Sequence, residues 1–244
     1  MLLTWCQELK MERKLKNKIK IIINIFMTIF FIILMGYHIT GNKIHEYLGV
    51  ITLSLVIIHN CLNIKWYKNI AKGKYNLQRI FLMLIDLLLL IVTIGIAVSS
   101  MIISSEVFDF LNIQTTMFGR RLHMLTTSWG FILISAHIGL HLNGLIMKFK
   151  DKLKNSTFEY VYYFILLSII LYGGYSFITT GFWENMFLLN DFNFFEFDKS
   201  PIIIYLEYIA ILIFVAFIIY GLIHITKNTI NKLKKGGKKT WIKK

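Results

Sequence analysis

Seven histidines, at positions 38, 45, 59, 123, 137, 141 and 224, lie within or at the ends of long apolar blocks. An ionisable side chain in an apolar membrane helix is costly, so it signals a function by default. His45 and His59 are fourteen residues apart, and so are His123 and His137. Fourteen residues turn a helix through about 40° less than four full turns and advance it roughly 21 Å. Each pair therefore shares a helix face, with one imidazole near each end of a membrane span. Two such helices facing one another put His45 level with His123, and His59 level with His137. Two imidazoles approaching from opposite sides are the axial ligands of a b-type haem, and two levels make two bis-histidine haems.

Other residues fit this chemistry. Gly49 lies four residues after His45, and Gly130 lies seven after His123, each on nearly the same face as its histidine. Missing side chains leave a slot for a porphyrin edge, although glycines also serve plain helix packing. Arg120 and Arg121 sit at the outer end of their helix, where they pair with outer haem propionates or anchor the interface. Lys65 and Lys148 are the corresponding inner candidates. His141 lies one turn deeper than His137 and competes with it as inner ligand. His38 and His224, single residues at helix ends, read as interfacial. The HIGLH stretch from His137 to His141 has the spacing of a metal pair but lacks the glutamate of a zinc protease motif. Asp86 is a lone acid in an apolar helix, suited to a proton relay or a structural hydrogen bond; Glu207 has the same ambiguity.

The elements that carry these residues are membrane helices. Hydrophobic residues make up 56% of the 244 and charged residues only 16%, against about 25% charged in soluble domains. Six blocks, at 19–38, 44–64, 78–103, 122–147, 159–180 and 202–225, reach the roughly 20 apolar residues that span a bilayer core. Backbone groups in lipid must be satisfied internally, so the blocks are helices. Of the 27 Lys and Arg residues, 23 fall on one side of this alternation and four on the other. The positive-inside rule then makes both termini cytoplasmic. The expected fold is an all-α integral membrane protein of six helices around a four-helix-bundle di-haem core. It divides into a basic cytoplasmic segment 1–18, a membrane domain 19–226 and a basic tail 227–244. The first block is too long for a signal peptide core and no cleavage site follows it, so it reads as the first span.

The net charge of +14 follows from this topology and from contact with anionic lipid. It calls for no nucleic acid. The two cysteines, Cys6 and Cys61, make no disulfide framework, and no CxxCH motif attaches haem covalently. No P-loop, nicotinamide fingerprint or hydrolase triad is present. The outer segment 181–201 is acidic and phenylalanine-rich. It reads as an interfacial stretch, a lid or a docking surface.

Three segments carry a resemblance. HEYLGVITLSLVIIHNCLNIKW (45–66) and RRLHMLTTSWGFILISAHIGLHLN (120–143) resemble the two histidine helices of bacterial membrane b-type cytochromes. FNFFEFDKSPIIIYLEYIAILIFVAFIIYG (192–221) resembles the end of one subset, the bacterial domain-of-unknown-function family numbered 4405. That family is kin to cytochrome b561-like and ferric-reductase-like membrane domains. The resemblance implies haem b ligated by His45, His59, His123 and His137, with His141 open, and a possible extracytoplasmic flavoprotein partner. The relatives' cytoplasmic flavin and nicotinamide domain has no counterpart here.

The expectation is a multi-pass protein of the cell membrane. It passes electrons between a quinol or protein donor and an extracytoplasmic acceptor, as a carrier or as a subunit of a membrane oxidoreductase. The alternative is a non-redox transporter or metal-ion-binding protein that uses the same histidines.

Overall fold

A computed structural model describes residues 2–73, 75–153, 157–189 and 199–240. Among these the chain is helical throughout, without strands. Six helices are long and apolar enough to cross a membrane: Lys14–Met35, Tyr37–Leu62, Leu77–Ile103, Met117–Gly144, Phe158–Thr179 and Pro201–Ile230. The protein is an all-helical, six-span membrane protein. By contact it divides into two compact units, residues 1–73 with 103–114, and residues 74–102 with 115–244.

The first unit is a helix hairpin. Helix α1 (Leu2–Met35) and helix α2 (Tyr37–Leu62) are joined at a single buried residue, Gly36. The chain reverses at Gly41, because Lys20 with Asn63, Asn24 with His59 and Tyr37 with His45 are all pairs centred on Gly41 and Asn42. That reversal lies in the gap between the expected blocks 19–38 and 44–64. Residues 2–18 are helical and continuous with the first span, and His38 lies in the first turn of α2. Gly41 interrupts α2 with φ 69° and ψ 172°. A side chain is strained at that positive φ, so glycine lets the helix re-aim before His45. A short helix α3 (Ile64–Lys68) follows α2. The segment after the third span adds a 3₁₀ turn, Asp109–Leu111, which ends at Asn112 in the left-handed region.

The second unit holds helix α4 (Leu77–Ile103, of which 103 counts with the first unit), α5 (Met117–Leu153), α6 (Thr157–Thr179), the short α7 (Phe182–Met186) and α8 (Pro201–Thr240). Local chemistry starts these helices. The Asn76 side chain accepts the Arg79 amide at 2.8 Å, and Thr116 Oγ1 accepts the Gly119 amide at 3.1 Å. Both are side-chain N-caps that satisfy an otherwise orphaned donor. Pro201 opens α8, where its missing N–H costs nothing.

Small residues seal α5 to α8. A Cβ added at Gly139 would lie 2.4 Å from the Ala216 carbonyl oxygen, and one at Gly173 of α6 would lie 2.1 Å from that of Ala210. Phe131 pairs with Tyr208, and eight residues further along both helices Gly139 meets Ala216. The constant offset makes α5 and α8 parallel, as alternating spans four and six require. Phe131, Ile211, Ala210 and Ala216 are buried along this seam. Van der Waals fit between close backbones replaces the missing hydrophobic drive in lipid. Hydroxyls on α5 bond back to their own helix, Ser135 to Phe131 O and Thr126 to Leu122 O, both at 2.7 Å. Such bonds satisfy them without a partner helix.

Candidate functional site

All five expected ligand histidines carry a hydrogen bond or a close polar or ring contact. Helix α4 supplies the partners on α5. At the inner end, His137 Nδ1 lies 2.8 Å from Asp86 Oδ1. The two atoms are in close polar contact without an aligned hydrogen bond. At the outer end, His123 Nδ1 lies 3.2 Å from Ser99 Oγ and 3.4 Å from Ser100 Oγ. As α4 rises from 86 to 99, its partners on α5 fall from 137 to 123, so one antiparallel register places both. Between them Gly95 lets the helices close, for a Cβ there would sit 2.6 Å from Thr126 Cγ2.

Helix α1 does the same for α2. His59 Nδ1 lies 2.8 Å from Asn24 Oδ1, while Asn63 Nδ2 approaches His59 Nε2 at 3.3 Å. The Asn63 amide is itself oriented, since its Oδ1 accepts from Lys20 Nζ at 2.6 Å and its Nδ2 donates to His59 O at 2.9 Å.

These partners decide which ring nitrogen carries the proton. Asp86 Oδ1 and Asn24 Oδ1 only accept. Ser99 already donates its hydroxyl to Ile96 O at 3.0 Å, so toward His123 it accepts. In all three histidines Nδ1–H is therefore turned to the protein, and in His59 the Nε2 lone pair also meets the protein, at the Asn63 amide. This is the arrangement in which a hydrogen-bond acceptor or carboxylate orients a metal-binding imidazole.

His45 has different company. Its ring meets Tyr37 edge-on, with centroids 5.1 Å apart. Its neighbour Glu46 holds the segment after the third span: Ser104 Oγ donates to the carboxylate at 2.5 Å, and the Ser105, Glu106 and Val107 amides donate at 2.9, 3.1 and 2.9 Å. Asn42 adds a bond to Ser105 Oγ at 2.8 Å. His141 stands beside His137 with ring centroids 4.8 Å apart at 58°. Its ring is exposed, whereas that of His137 is partly covered.

The remaining expected residues fall as follows. A Cβ at Gly49 would meet nothing within 4 Å, so its slot is open. Gly130 is buried. Arg120 and Arg121 are exposed at the start of α5, and Lys65 is exposed on α3. The Lys148 and Cys6 side chains lie outside the described residues. His38 sits in the first turn of α2. His224 stacks on Tyr220, with centroids 6.0 Å apart at 26°. It shares a cleft with Gln78, Asn143 and Lys227. Glu207 is buried and pairs with Lys199 at 3.1 Å. Of the outer segment 181–201, residues 190–198 lie outside the described residues. The part before them packs inward, Phe182 against Phe131 and the Met186 carbonyl on Trp129 Nε1 at 2.9 Å.

His45 and His59 belong to the first compact unit, and His123, His137 and His141 to the second. Among the described residues no three His, Cys, Asp or Glu side chains gather as a metal-binding group. The residues missed from the sequence are Asn24, Asn63, Ser99 and Ser100. Asn24 left a signal, as the only amide in the apolar stretch 19–38. The chain matches no protein-family model, no curated protein and no solved structure.

Proposed function

We propose that this protein is a transmembrane electron carrier with two b-type haems, or the membrane subunit of an oxidoreductase, in the cell membrane. The observation that supports the reading is the common orientation of His123 and His137 on α5. Each turns Nδ1 to an acceptor on α4, the way a metal-binding imidazole is oriented. A packed histidine would satisfy itself with either nitrogen.

His45 with His123 would hold the outer haem, and His59 with His137 the inner one. The Asp86 contact favours His137 over His141. Gly49 leaves room for a porphyrin edge, and Arg120 and Arg121 would meet propionates at the outer end. The haems supply one-electron chemistry. The protein's own part is to hold the imidazoles, exclude water and set the potentials. The donor would be a quinol or a redox protein on the cytoplasmic side. The acceptor would be extracytoplasmic, a flavoprotein by the family resemblance.

The test is a reduced-minus-oxidised absorption spectrum of protein purified in mild detergent, with haem quantified as the pyridine haemochrome. Two haems b per chain are expected. No haem, after expression with ample haem supply, would overturn the reading and favour a transporter or metal-ion-binding protein.

A further inference from the structure

We propose that the cleft at the inner end of the second unit binds the phosphate of an anionic phospholipid. Three helices of that unit build it. Gln78 comes from α4, Asn143 from α5, and Tyr220, His224 and Lys227 from α8, over a floor of Leu140. The site goes beyond the proposed electron transfer and stands with or without haem.

All three helices reach the membrane boundary here. Gln78 is the second residue of the span Leu77–Ile103, Asn143 is the last but one of Met117–Gly144, and Lys227 falls three residues before the end of Pro201–Ile230. Residues at the ends of spans lie level with lipid headgroups. The positive-inside rule makes this the cytoplasmic leaflet, since the basic tail follows Lys227. Further into the membrane the space between the helices is filled, as Ile85, Ala136 and Leu140 pack with Leu82 and Ile223. A lipid can therefore seat its headgroup in the cleft but not its acyl chains. Exposed apolar side chains of the same helices, Phe81 and Leu222, offer those chains an outer surface.

The polar groups suit a phosphate. Lys227 supplies a cation, and the Gln78 and Asn143 amides and the His224 ring can donate to phosphate oxygens. Gln78 Nε2 reaches the Leu140 carbonyl at 3.5 Å, which holds its amide over the floor. His224 stacks on Tyr220. Asn143, His224 and Lys227 are exposed, so the rim is open to a headgroup arriving from the bilayer surface. Among the described residues no carboxylate lines the cleft. A zwitterionic headgroup would bring an ammonium that finds no counter-charge there, so a headgroup of net negative charge is preferred. Basic pockets between membrane helices on the cytoplasmic side take phosphate headgroups in this way.

Native mass spectrometry tests this on the full chain, stripped of lipid in mild detergent and titrated with dioleoylphosphatidylglycerol or dioleoylphosphatidylcholine. One phosphatidylglycerol per chain is expected at concentrations where phosphatidylcholine does not bind. Lys227→Gln should weaken that binding about fivefold, the worth of one cation near a lipid surface. Asn143→Leu changes no charge and should weaken it as well. Both positions are exposed, so both variants should fold. Lys68→Gln removes the same charge from an exposed position on α3 and should leave the binding unchanged. Equal losses from Lys227→Gln and Lys68→Gln, or none from Asn143→Leu, would mean diffuse attraction and overturn the site. Equal binding of the two lipids does the same. Displacement of the lipid by inorganic phosphate would make the occupant a free phosphate and overturn the lipid assignment.

Discussion

Helix α5 has two faces built on opposite principles. Toward α8 it is dry and tight, with Gly139 against the Ala216 backbone and Phe131 sealed under Tyr208 and Phe182. Toward α4 it is polar, with His123 on serine hydroxyls and His137 on a carboxylate. The first face is intolerant of volume, because backbones touch there. The second depends on chemistry as well as on volume: Gly95 closes on Thr126, and single polar atoms orient each ring. Stability and function are therefore separable along one helix, and substitutions on the two faces should fail in different ways.

The largest effect is expected on the dry face. Gly139→Leu forces a side chain into the Ala216 carbonyl and should cost about 3 kcal/mol or more. The measurement is the yield of monodisperse protein in detergent, which should collapse; a well-folded variant would deny the seam its role. On the polar face, His137→Ala should yield folded protein with one of its two haems lost, while His141→Ala should keep both. Haemochrome quantification separates these outcomes, and the opposite pattern would make His141 the inner ligand.

A smaller effect belongs to the first unit. Glu46→Ala strands three amides and a hydroxyl, and should lower unfolding stability by about 1–3 kcal/mol. Thermal unfolding monitored by circular dichroism reports it; an unchanged midpoint would mean that the 104–107 segment does not depend on the carboxylate. The smallest effect, and one of opposite sign, is expected at Ser176. Its hydroxyl is fully buried and meets no hydrogen-bond partner among the described residues. Ser176→Ala should raise stability by about 1 kcal/mol, whereas Ser135→Ala, which removes a bond to Phe131 O, should not. Equal shifts for the two serines would blur the contrast.

Much of this was legible in the residues themselves. Length and hydropathy of the blocks give six spans, and the fourteen-residue spacing singles out two helix faces. The partners of the histidines were not legible, because they depend on register between helices. Asp86 and Ser99 become meaningful only once antiparallel packing sets α4 against α5. Asn24 and Lys20 gain their roles only when the hairpin closes at Gly41. Periodicity also cannot tell a functional glycine from a packing one. Gly139, Gly173 and Gly95 prove to be contact residues, whereas Gly49 leaves open space. The break at Gly41 lies in the gap expected between the blocks 19–38 and 44–64.

The central claim is bis-histidine ligation at two levels, and low-temperature electron paramagnetic resonance of the oxidised protein tests it most directly. The account predicts two low-spin ferric signals of the bis-imidazole type, one of which disappears in His123→Ala and the other in His137→Ala. A high-spin signal, a single signal removed by both substitutions, or no haem signal at all would contradict it.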